Sequence, residues 1–164
     1  MAKAEKTLTD LFEATLRDIY FAEKQILRAL PKMAKKAKSP ELATAFEKHR
    51  DETEIHVERL EQVFEMFGAT ARGKTCDAIV GILDEGKEIM EDFAGTDALD
   101  PGMLAAAQAV EHYEISRYGT LRTWAEQLGM KDAAKLFDLT LAEEKKTDAT
   151  LSQLATRNVN AKAA

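Results

Sequence analysis

Cysteine, proline and glycine are scarce in this sequence, and it has no long apolar run. A single cysteine, Cys76, among 164 residues excludes an internal disulfide and is typical of a reducing compartment. We expect this thiol to be packed rather than reactive. No segment approaches the roughly 18 consecutive apolar residues that a membrane-spanning helix requires, and the N-terminal MAKAEKTLTD lacks an apolar signal core. The sequence therefore predicts a cytoplasmic protein that has no membrane partner.

The charge balance narrows the choice of partners further. The sequence has 23 basic and 29 acidic residues, so its net charge of −6 disfavours binding to phosphate backbones. The basic run from Lys32 to Lys38 is too short and local to indicate nucleic-acid binding. A helix end explains it more simply, because cations are favourable near the last carbonyl groups. We expect no nucleic-acid partner.

The pattern of apolar residues predicts an all-α protein. Apolar residues recur with the 3.6-residue period of amphipathic helices, and strand-type alternation is absent. The long helices are expected over about residues 7–36, 40–67, 101–128 and 131–156. Ser39-Pro40-Glu41 has the features of a helix start, and Gly68 and Gly129 follow helix ends. We predict a single domain over residues 1–157 and a flexible tail over 158–164.

The two halves of the chain resemble each other weakly. At an offset of 91 residues, Glu23 falls on Glu114 and Phe46 on Phe137, and other core positions also match. Two helical hairpins related in this way predict a four-helix bundle with a pseudo-twofold axis. The long crossover over residues 69–99 carries a shorter amphipathic segment, which we expect to form one extra short helix.

All four predicted long helices carry polar side chains on their apolar stripes near mid-length. Their positions follow from a helical wheel with 100° per residue. The polar side chains are Glu23 on the first helix, His49, Glu52, Thr53 and His56 on the second, Glu111 and Glu114 on the third, and Glu143, Glu144 and Asp148 on the fourth. Glu52 and Glu143 lie at stripe edges, where an acid usually reaches water. A lone histidine such as His49 is more often a hydrogen-bonded core residue than a ligand. Because each hairpin is antiparallel, the interruptions fall at about one level.

So many acids cannot share a core without neutralisation. Burying one carboxylate can shift its pKa by up to about 3 to 5 units, and total folding stability is only about 5 to 15 kcal/mol. Few lysines or arginines lie on these faces. Either the carboxylates are largely protonated or metal ions neutralise them, and we favour metal ions.

The donor types narrow the choice of metal. Carboxylates with one or two imidazoles suit iron or manganese and also accept zinc, and the absence of a thiolate set excludes iron–sulfur clusters. Di-metal bundles take one Glu from each of two helices and a Glu with a nearby His from the others. Glu52 with His56 has the i, i+4 spacing that places both side chains over one patch. Two alternatives stay open on the fourth helix: Glu143 with Thr147, onto which the repeat maps that pair, and Glu144 with Asp148.

Three strings carry a resemblance to a known family. They are DIYFAEKQILRALPKMAKKAKSPELATAFEKHRDETEIHVERLEQVFEMFG, EHYEISRYGTLRTWAEQLG and LAEEKKTDATLSQLA. Over about residues 7–156 the chain resembles the YciF/YciE (DUF892) family of the ferritin-like superfamily. This resemblance implies a ferritin-like bundle with an extra helix, a homodimer, a di-metal centre and a link to bacterial stress responses. The two acids of EHYE resemble the doubled glutamate on the third helix of rubrerythrin-type bundles.

The resemblance also implies a set of ligands. They are Glu23, Glu52, His56, Glu111 and Glu114, with Glu143 favoured by the family pattern and the repeat, and Glu144 by the helical wheel. The chain departs from the ferritin pattern in two ways. The Glu-x-x-His spacing is missing, and the fourth helix has no histidine and offers Asp148 or Thr147 instead. The resemblance therefore does not by itself imply ferroxidase or peroxidase activity.

Two hypotheses of different classes follow. The first is a stress-response protein with two metal ions, iron before manganese or zinc, that acts on dioxygen or peroxide. In it His56, Glu144 and Asp148 add ligands or support the others, and His49, Tyr118 and Thr147 lie around the ions. The second is a non-catalytic helical dimer, a structural or interaction module with a degenerate metal site.

Overall fold

The computed structural model describes residues 5–164, and in this part of the chain all regular structure is helical. The elements are α1 (Leu8–Lys36), α2 (Pro40–Phe67), α3 (Asp77–Asp92), α4 (Leu99–Gln127), α5 (Lys131–Leu154), a π-helical turn (Ala155–Val159) and α6 (Asn160–Ala163). The predicted all-α class and the four long helices are confirmed. Every helix in residues 5–164 is too short or too polar for a membrane-spanning segment.

The long helices form a ferritin-like four-helix bundle. α1 pairs with α2 and α4 pairs with α5, and the hairpins meet where α2 packs on α5 and α1 on α4. The crossover helix α3 packs on α4 and α1, outside the bundle. The buried hydrophobic side chains form one cluster along the bundle interior. Seven of the polar side chains on the apolar stripes are therefore buried among the four long helices: Glu23, His49, Thr53, His56, Glu111, Glu114 and Glu144.

Local chemistry explains the ends of α1 and α2. Thr7 and Asp10 form a reciprocal capping box at the start of α1. Ser39 caps α2, since its side chain accepts a hydrogen bond from the Leu42 backbone amide at 3.3 Å. Gly68 ends α2 at a φ of 79°, in the left-handed region that glycine adopts without steric cost. These ends agree with those predicted from the sequence.

One buried carboxylate ties the second hairpin to the first. Asp100 accepts hydrogen bonds from the backbone amides of Lys38 at 2.9 Å and of Ser39 at 2.7 Å. Both amides belong to the turn between α1 and α2, whereas Asp100 lies in the first turn of α4. This contact holds the start of α4 level with the start of α2.

Residues 155–163, which include most of the predicted flexible tail, are helical. Val159 is only 3% exposed. Ala155 and Val159 are four residues apart, so both extend the buried side of α5. The apolar spacing thus carries the ordered fold past residue 157.

Candidate metal centre

Six buried histidine and glutamate side chains meet at mid-height of the bundle. They are Glu23 of α1, His49 and His56 of α2, Glu111 and Glu114 of α4, and Glu144 of α5, and none is more than 3% exposed. They form two groups, and within each group the possible ligand atoms lie within 4.8 Å of one another. We call these the His49 group (His49, Glu111, Glu114 and Glu144) and the His56 group (Glu23, His56 and Glu144).

Helix geometry puts both imidazoles and the paired acids on the inward faces. His49 and His56 are seven residues apart, about two turns, so their rings lie on one face of α2 with centroids 6.5 Å apart. Glu111 and Glu114 are three apart and share a face of α4 in the same way. Between the histidines, Thr53 donates its hydroxyl to the His49 carbonyl at 2.8 Å, so this buried hydroxyl needs no other partner.

The His49 group surrounds one imidazole with carboxylates. His49 Nε2 lies 3.0 Å from Glu111 Oε1 and 3.9 Å from Glu114 Oε2. On the other side of the ring, His49 Nδ1 lies 4.0 Å from Glu144 Oε2. Three helices therefore direct four donor residues to one small volume.

The His56 group uses the other oxygen of Glu144. His56 Nδ1 lies 3.0 Å from Glu144 Oε1 and 3.5 Å from Glu23 Oε1. The two oxygens of Glu144 thus face different groups, Oε2 toward His49 and Oε1 toward His56. A carboxylate placed in this way can bridge two cations.

A chain of contacts outside the group orients His56. Its Nε2 lies 2.9 Å from Glu143 Oε2. Arg59 holds Glu143 in a bidentate pair at 2.6 and 3.0 Å and also donates to Thr140. Partial burial would raise the pKa of Glu143, but Arg59 and His56 outweigh it and lower this pKa. An ionised acceptor at Nε2 keeps the proton on that nitrogen and directs Nδ1 toward Glu144.

Tyr118 fixes the position of Glu23. The phenol is buried and donates a hydrogen bond to Glu23 Oε1. Burial, reinforced by the nearby acids, raises the pKa of Tyr118 well above its usual value, so the phenol keeps its proton. Tyr118 was predicted to lie beside the ligands, and its hydroxyl contacts Glu23 of the His56 group.

Burial makes three of the four carboxylates of the two groups bind protons tightly in the absence of a cation. It raises the pKa of Glu111 and of Glu144 to about 8. Burial and three neighbouring acids raise the pKa of Glu114 well above its ordinary value. Burial alone would lower the pKa of His56, but Glu144 and Glu23 outweigh it and raise this pKa to about 11. The same imidazole lowers the pKa of Glu23 against the effect of burial.

Many donor atoms here have no hydrogen-bond partner. Within residues 5–164, the buried side-chain atoms without one are Glu23 Oε2, His49 Nδ1 and Nε2, His56 Nδ1, Glu111 Oε2, both oxygens of Glu114 and of Glu144, and Arg122 Nε. All except the Arg122 atom belong to the two groups. Buried polar groups are normally satisfied, and an orphaned one is costly. Oxygen and imidazole atoms that converge within 4.8 Å of one another fit a metal ion as their common partner.

Comparison with known proteins identifies the family. Residues 7–164 match the family described as "Domain of unknown function (DUF892)". The chain belongs to the DUF892 family. It is 46% identical over 159 residues to Protein YciF of Escherichia coli (strain K12), with 96% of each chain covered.

Solved structures share the fold of this DUF892 protein. The crystal structure of the E. coli stress protein YciF matches it with a TM-score of 0.90 at 45% identity, covering 95% of this chain and 99% of that one. YcfI from Rhodopseudomonas palustris matches with a TM-score of 0.88 at 43% identity, covering 93% and 97%. A Xanthomonas campestris protein at 21% identity and a TM-score of 0.75, with 94% of each chain covered, shares the fold.

Three of the predicted ligands of this DUF892 protein lie outside both groups. The side chain of Glu52 is 20% exposed, accepts from Thr147 at 3.4 Å and lies 3.3 Å from Lys48 Nζ. Asp148 is 23% exposed and contacts Gln108 and His112. Glu143 is 31% exposed and pairs with Arg59. All three occupy less inward positions of their helices. Glu52 and Asp148 have polar partners near the surface, whereas Glu143 contacts the mostly buried Arg59 and the buried His56.

His49, which was predicted to lie around the ions, is one of the four residues of the His49 group. The signal was present in the sequence, since His49 lies on the stripe two turns before His56. On α5 the structure gives Glu144 the central position that the helical wheel favoured, and it gives Glu143 the contact with His56.

Substituting Glu143 tests the orientation of His56. We expect Glu143→Ala to weaken cation binding at the His56 group by roughly 10- to 100-fold, as is typical when the outer partner of a metal-binding histidine is lost. The His49 group should keep its affinity. A cobalt(II) titration that is monitored by visible absorption measures cation binding at each of the two groups. Glu58→Ala is the control, because Glu58 is exposed on α2. An equal loss in both variants would indicate a general charge effect and refute the assigned role.

Proposed function

We propose that this protein binds two divalent cations, most readily iron, in a carboxylate-bridged centre and acts in the response to stress. The observation that carries the proposal is the position of Glu144, whose two oxygens face two separate groups of unsatisfied donors. The His49 group supplies one imidazole and two further carboxylates, and the His56 group supplies one imidazole and one carboxylate. This composition agrees with the di-metal sites of helical bundles.

Charge supports two ions rather than one. The four carboxylates of the two groups would carry four negative charges when ionised, and two divalent cations neutralise them. Without cations, protons must fill that role, as the raised pKa values of Glu111 and Glu144, about 8, indicate. Cation binding should therefore displace protons from the site.

The donor set favours iron or manganese, with zinc as an alternative, because it combines imidazoles with carboxylates and lacks thiolates. When bound, iron would supply redox chemistry toward dioxygen or peroxide. The residues of the chain position the ligands and exclude water. Tyr118 holds Glu23 in place, and the pair of Arg59 with Glu143 holds His56. The near-complete burial of all six donors keeps bulk water away from them.

The biological context is taken from relatives. The E. coli relative, 45% identical, is described as a stress protein. We infer the same broad role here. We also propose a cytoplasmic location, because Cys76 is a free thiol and cysteines stay reduced in the cytosol. Glu52 and Asp148 remain proposed as further oxygen donors, because each lies one turn from a residue of the two groups.

Metal analysis of the purified protein tests the proposal. After anaerobic loading with ferrous ions and gel filtration, we expect about two iron ions per chain by elemental analysis. On crystals grown with iron, anomalous scattering at the iron edge should show two peaks, one on each side of Glu144. A protein that retains no iron, manganese or zinc, and whose melting temperature none of them changes, would refute the proposal.

One observation favours a second candidate, a non-catalytic helical module. The acids stand next to His49 and His56, and protons on Glu111, Glu144 and His56 can neutralise the cluster without metal. Such a module would act as a homodimer, a state that we propose for either function. Exposed apolar side chains such as Ile55, Met66 and Leu139 offer a second copy apolar surface to cover. Light scattering should give twice the 18.2 kDa chain mass, and a monomer would remove the dimer from the proposal.

A further inference from the structure

A polar cluster lies on the outer side of the hairpin that α4 and α5 form. Gln108 Nε2 and His112 Nε2 of α4 each lie 3.2 Å from the same oxygen of α5, Asp148 Oδ1. We call these three residues the outer cluster. With Ala109 and Ser152 they line an open depression of about 500 Å³. The side chain of His112 is 68% exposed and that of Asp148 is 23% exposed, so the outer cluster reaches from the solvent into the seam between the helices.

The outer cluster is close to the buried His49 group. Asp148 is four residues after Glu144, and His112 directly follows Glu111, so each lies within about one helical turn of a residue of that group. Burial is the main cause that raises the pKa of Glu111, and the negative charge of Asp148 is near enough to contribute to the rise. A cation held at the outer cluster would therefore be one ligand exchange away from Glu111 and Glu144.

The donor atoms of the outer cluster suit a divalent cation. Both contacts of Asp148 use Oδ1, so Oδ2 takes part in neither of them and is available to a ligand. Imidazole and carboxylate donors are shared by manganese, iron and zinc. Rotation of the Gln108 amide would add its carbonyl oxygen. Within residues 5–164, no lysine or arginine lines the depression, so no fixed positive charge in its lining opposes a cation.

Two other sides of the buried groups are less suited to an approaching cation. Between α2 and α5, Lys48 Nζ lies 3.3 Å from Glu52. Arg59 pairs with Glu143 on the same side, so both of these acids already have a positive partner. On the side that α3 covers, aliphatic side chains such as Leu83 form the wall, and moving an ion into apolar surroundings is costly. The outer cluster instead combines an acid, an imidazole and access to solvent.

We propose that the outer cluster binds a divalent cation and passes it to Glu111 and Glu144, so that metal ions enter between α4 and α5. The inference rests on the proposed metal centre for its purpose. An entry site must bind its ion well enough to capture it and weakly enough to release it inward, and a site with two or three protein donors meets both conditions. The transfer exchanges ligands and leaves the oxidation state of the ion unchanged.

The rate of metal uptake tests the entry route. Metal-free protein is mixed with cobalt(II) in a stopped-flow spectrometer, and visible absorption records binding at the buried groups. We expect His112→Ala to slow uptake several-fold and to leave the equilibrium affinity of both groups unchanged, because His112 belongs to neither. Ser116→Ala is the matched control, since Ser116 is exposed about one turn further along α4. Equal rates in the wild type and both variants would overturn the entry route and leave an ordinary surface ion pair.

Removing the carboxylate supplies a second kinetic test. Asp148→Asn should slow cobalt(II) uptake at least as much as His112→Ala does. Asp138→Asn removes the same charge from an exposed position on α5 and should keep the wild-type rate. Equal slowing by the two asparagine variants would indicate a general effect of charge and refute the specific route.

Paramagnetic manganese(II) detects the outer site directly. Zinc first fills the buried groups, and manganese(II) is then added below one equivalent while methyl signals are recorded by NMR. We expect the methyl signal of Ala109, which lines the depression, to broaden several-fold more than that of Ala142. Ala142 is also exposed, but it lies on α5 away from the lining. Equal broadening of the two signals would reject a specific site.

These measurements separate the outer site from the proposed function. Two zinc ions per chain, with equal broadening at Ala109 and Ala142 and unchanged uptake rates, would reject the outer site and leave the metal centre intact. Selective broadening at Ala109 in a protein that retains no zinc would support the outer site as a cation site, and it would reject both the metal centre and the entry route.

Discussion

Glu144→Gln is expected to abolish binding of both cations at once. Its two carboxylate oxygens face the two groups separately, so one substitution removes a donor from each. Even the outer partners of ligands contribute roughly 10- to 100-fold to metal affinity, and we expect a loss of more than about 100-fold at both sites. Elemental analysis and isothermal titration calorimetry with ferrous or manganous ions measure this loss.

Single-site variants provide the contrast. Glu23→Gln should remove only the ion of the His56 group, and His49→Ala only that of the His49 group, because each residue belongs to one group. Asp138→Asn serves as the control on α5, since Asp138 is exposed and pairs with Arg122. If Glu144→Gln lost only one ion, Glu144 would not be a bridging ligand.

The metal-free Glu144→Gln protein should fold normally. Burial raises the pKa of Glu144 to about 8, so at neutral pH this side chain is largely protonated and glutamine resembles it closely. Above about pH 8 the variant should be more stable than the wild type, because it has no charge to bury. Circular dichroism therefore separates a loss of ligands from a loss of structure.

The second large effect is a pH-dependent stabilisation by metal. Each cation present at 100 times its dissociation constant stabilises the folded state by about 2.7 kcal/mol. With a shift of about 2 to 4 °C per kcal/mol for a chain of this size, two cations should raise the melting temperature by roughly 10 to 20 °C near pH 8. This rise in melting temperature should become smaller toward pH 5.5, because protons compete with the cations for the carboxylates and imidazoles.

The metal-free protein should show the opposite trend with pH. Glu111 and Glu144, with pKa values of about 8, and His56, at about 11, bind protons more tightly when folded than when unfolded. Their contribution to stability is complete below their unfolded pKa values and is lost as the pH rises through the folded ones. The melting temperature without metal should therefore fall between about pH 5 and pH 9.

Scanning calorimetry with and without manganous ions distinguishes the two candidate functions. The metal centre predicts curves that diverge as the pH rises. The structural module predicts the same falling curve under both conditions, and Ca²⁺ is a suitable control because it prefers all-oxygen sites. A metal-independent melting temperature at every pH would favour the module.

Much of the fold could be predicted from the sequence because its causes are local. The apolar period, the cap at Ser39 and the glycine at position 68 act within a few residues, and the observed ends of α2 match them. The C-terminal segment was harder to predict. Ala155 and Val159 keep the apolar spacing of α5, but this part of the chain forms a π-helical turn, and the sequence pattern does not indicate that change of helical period.

For the candidate site too, some features could be predicted from the sequence and others depend on how the helices pack. The sequence alone was enough to predict that acids and two imidazoles interrupt four helical stripes at one level, because side-chain direction within a helix follows from its period. Which of these side chains meet depends on how the helices pack: Glu144 belongs to both groups, and Glu143 contacts Arg59 and His56. Residues at stripe edges can point inward or outward, and the choice depends on how each helix is rotated against its neighbours. A small rotation moves a carboxylate by several ångströms, which separates a ligand from a surface acid.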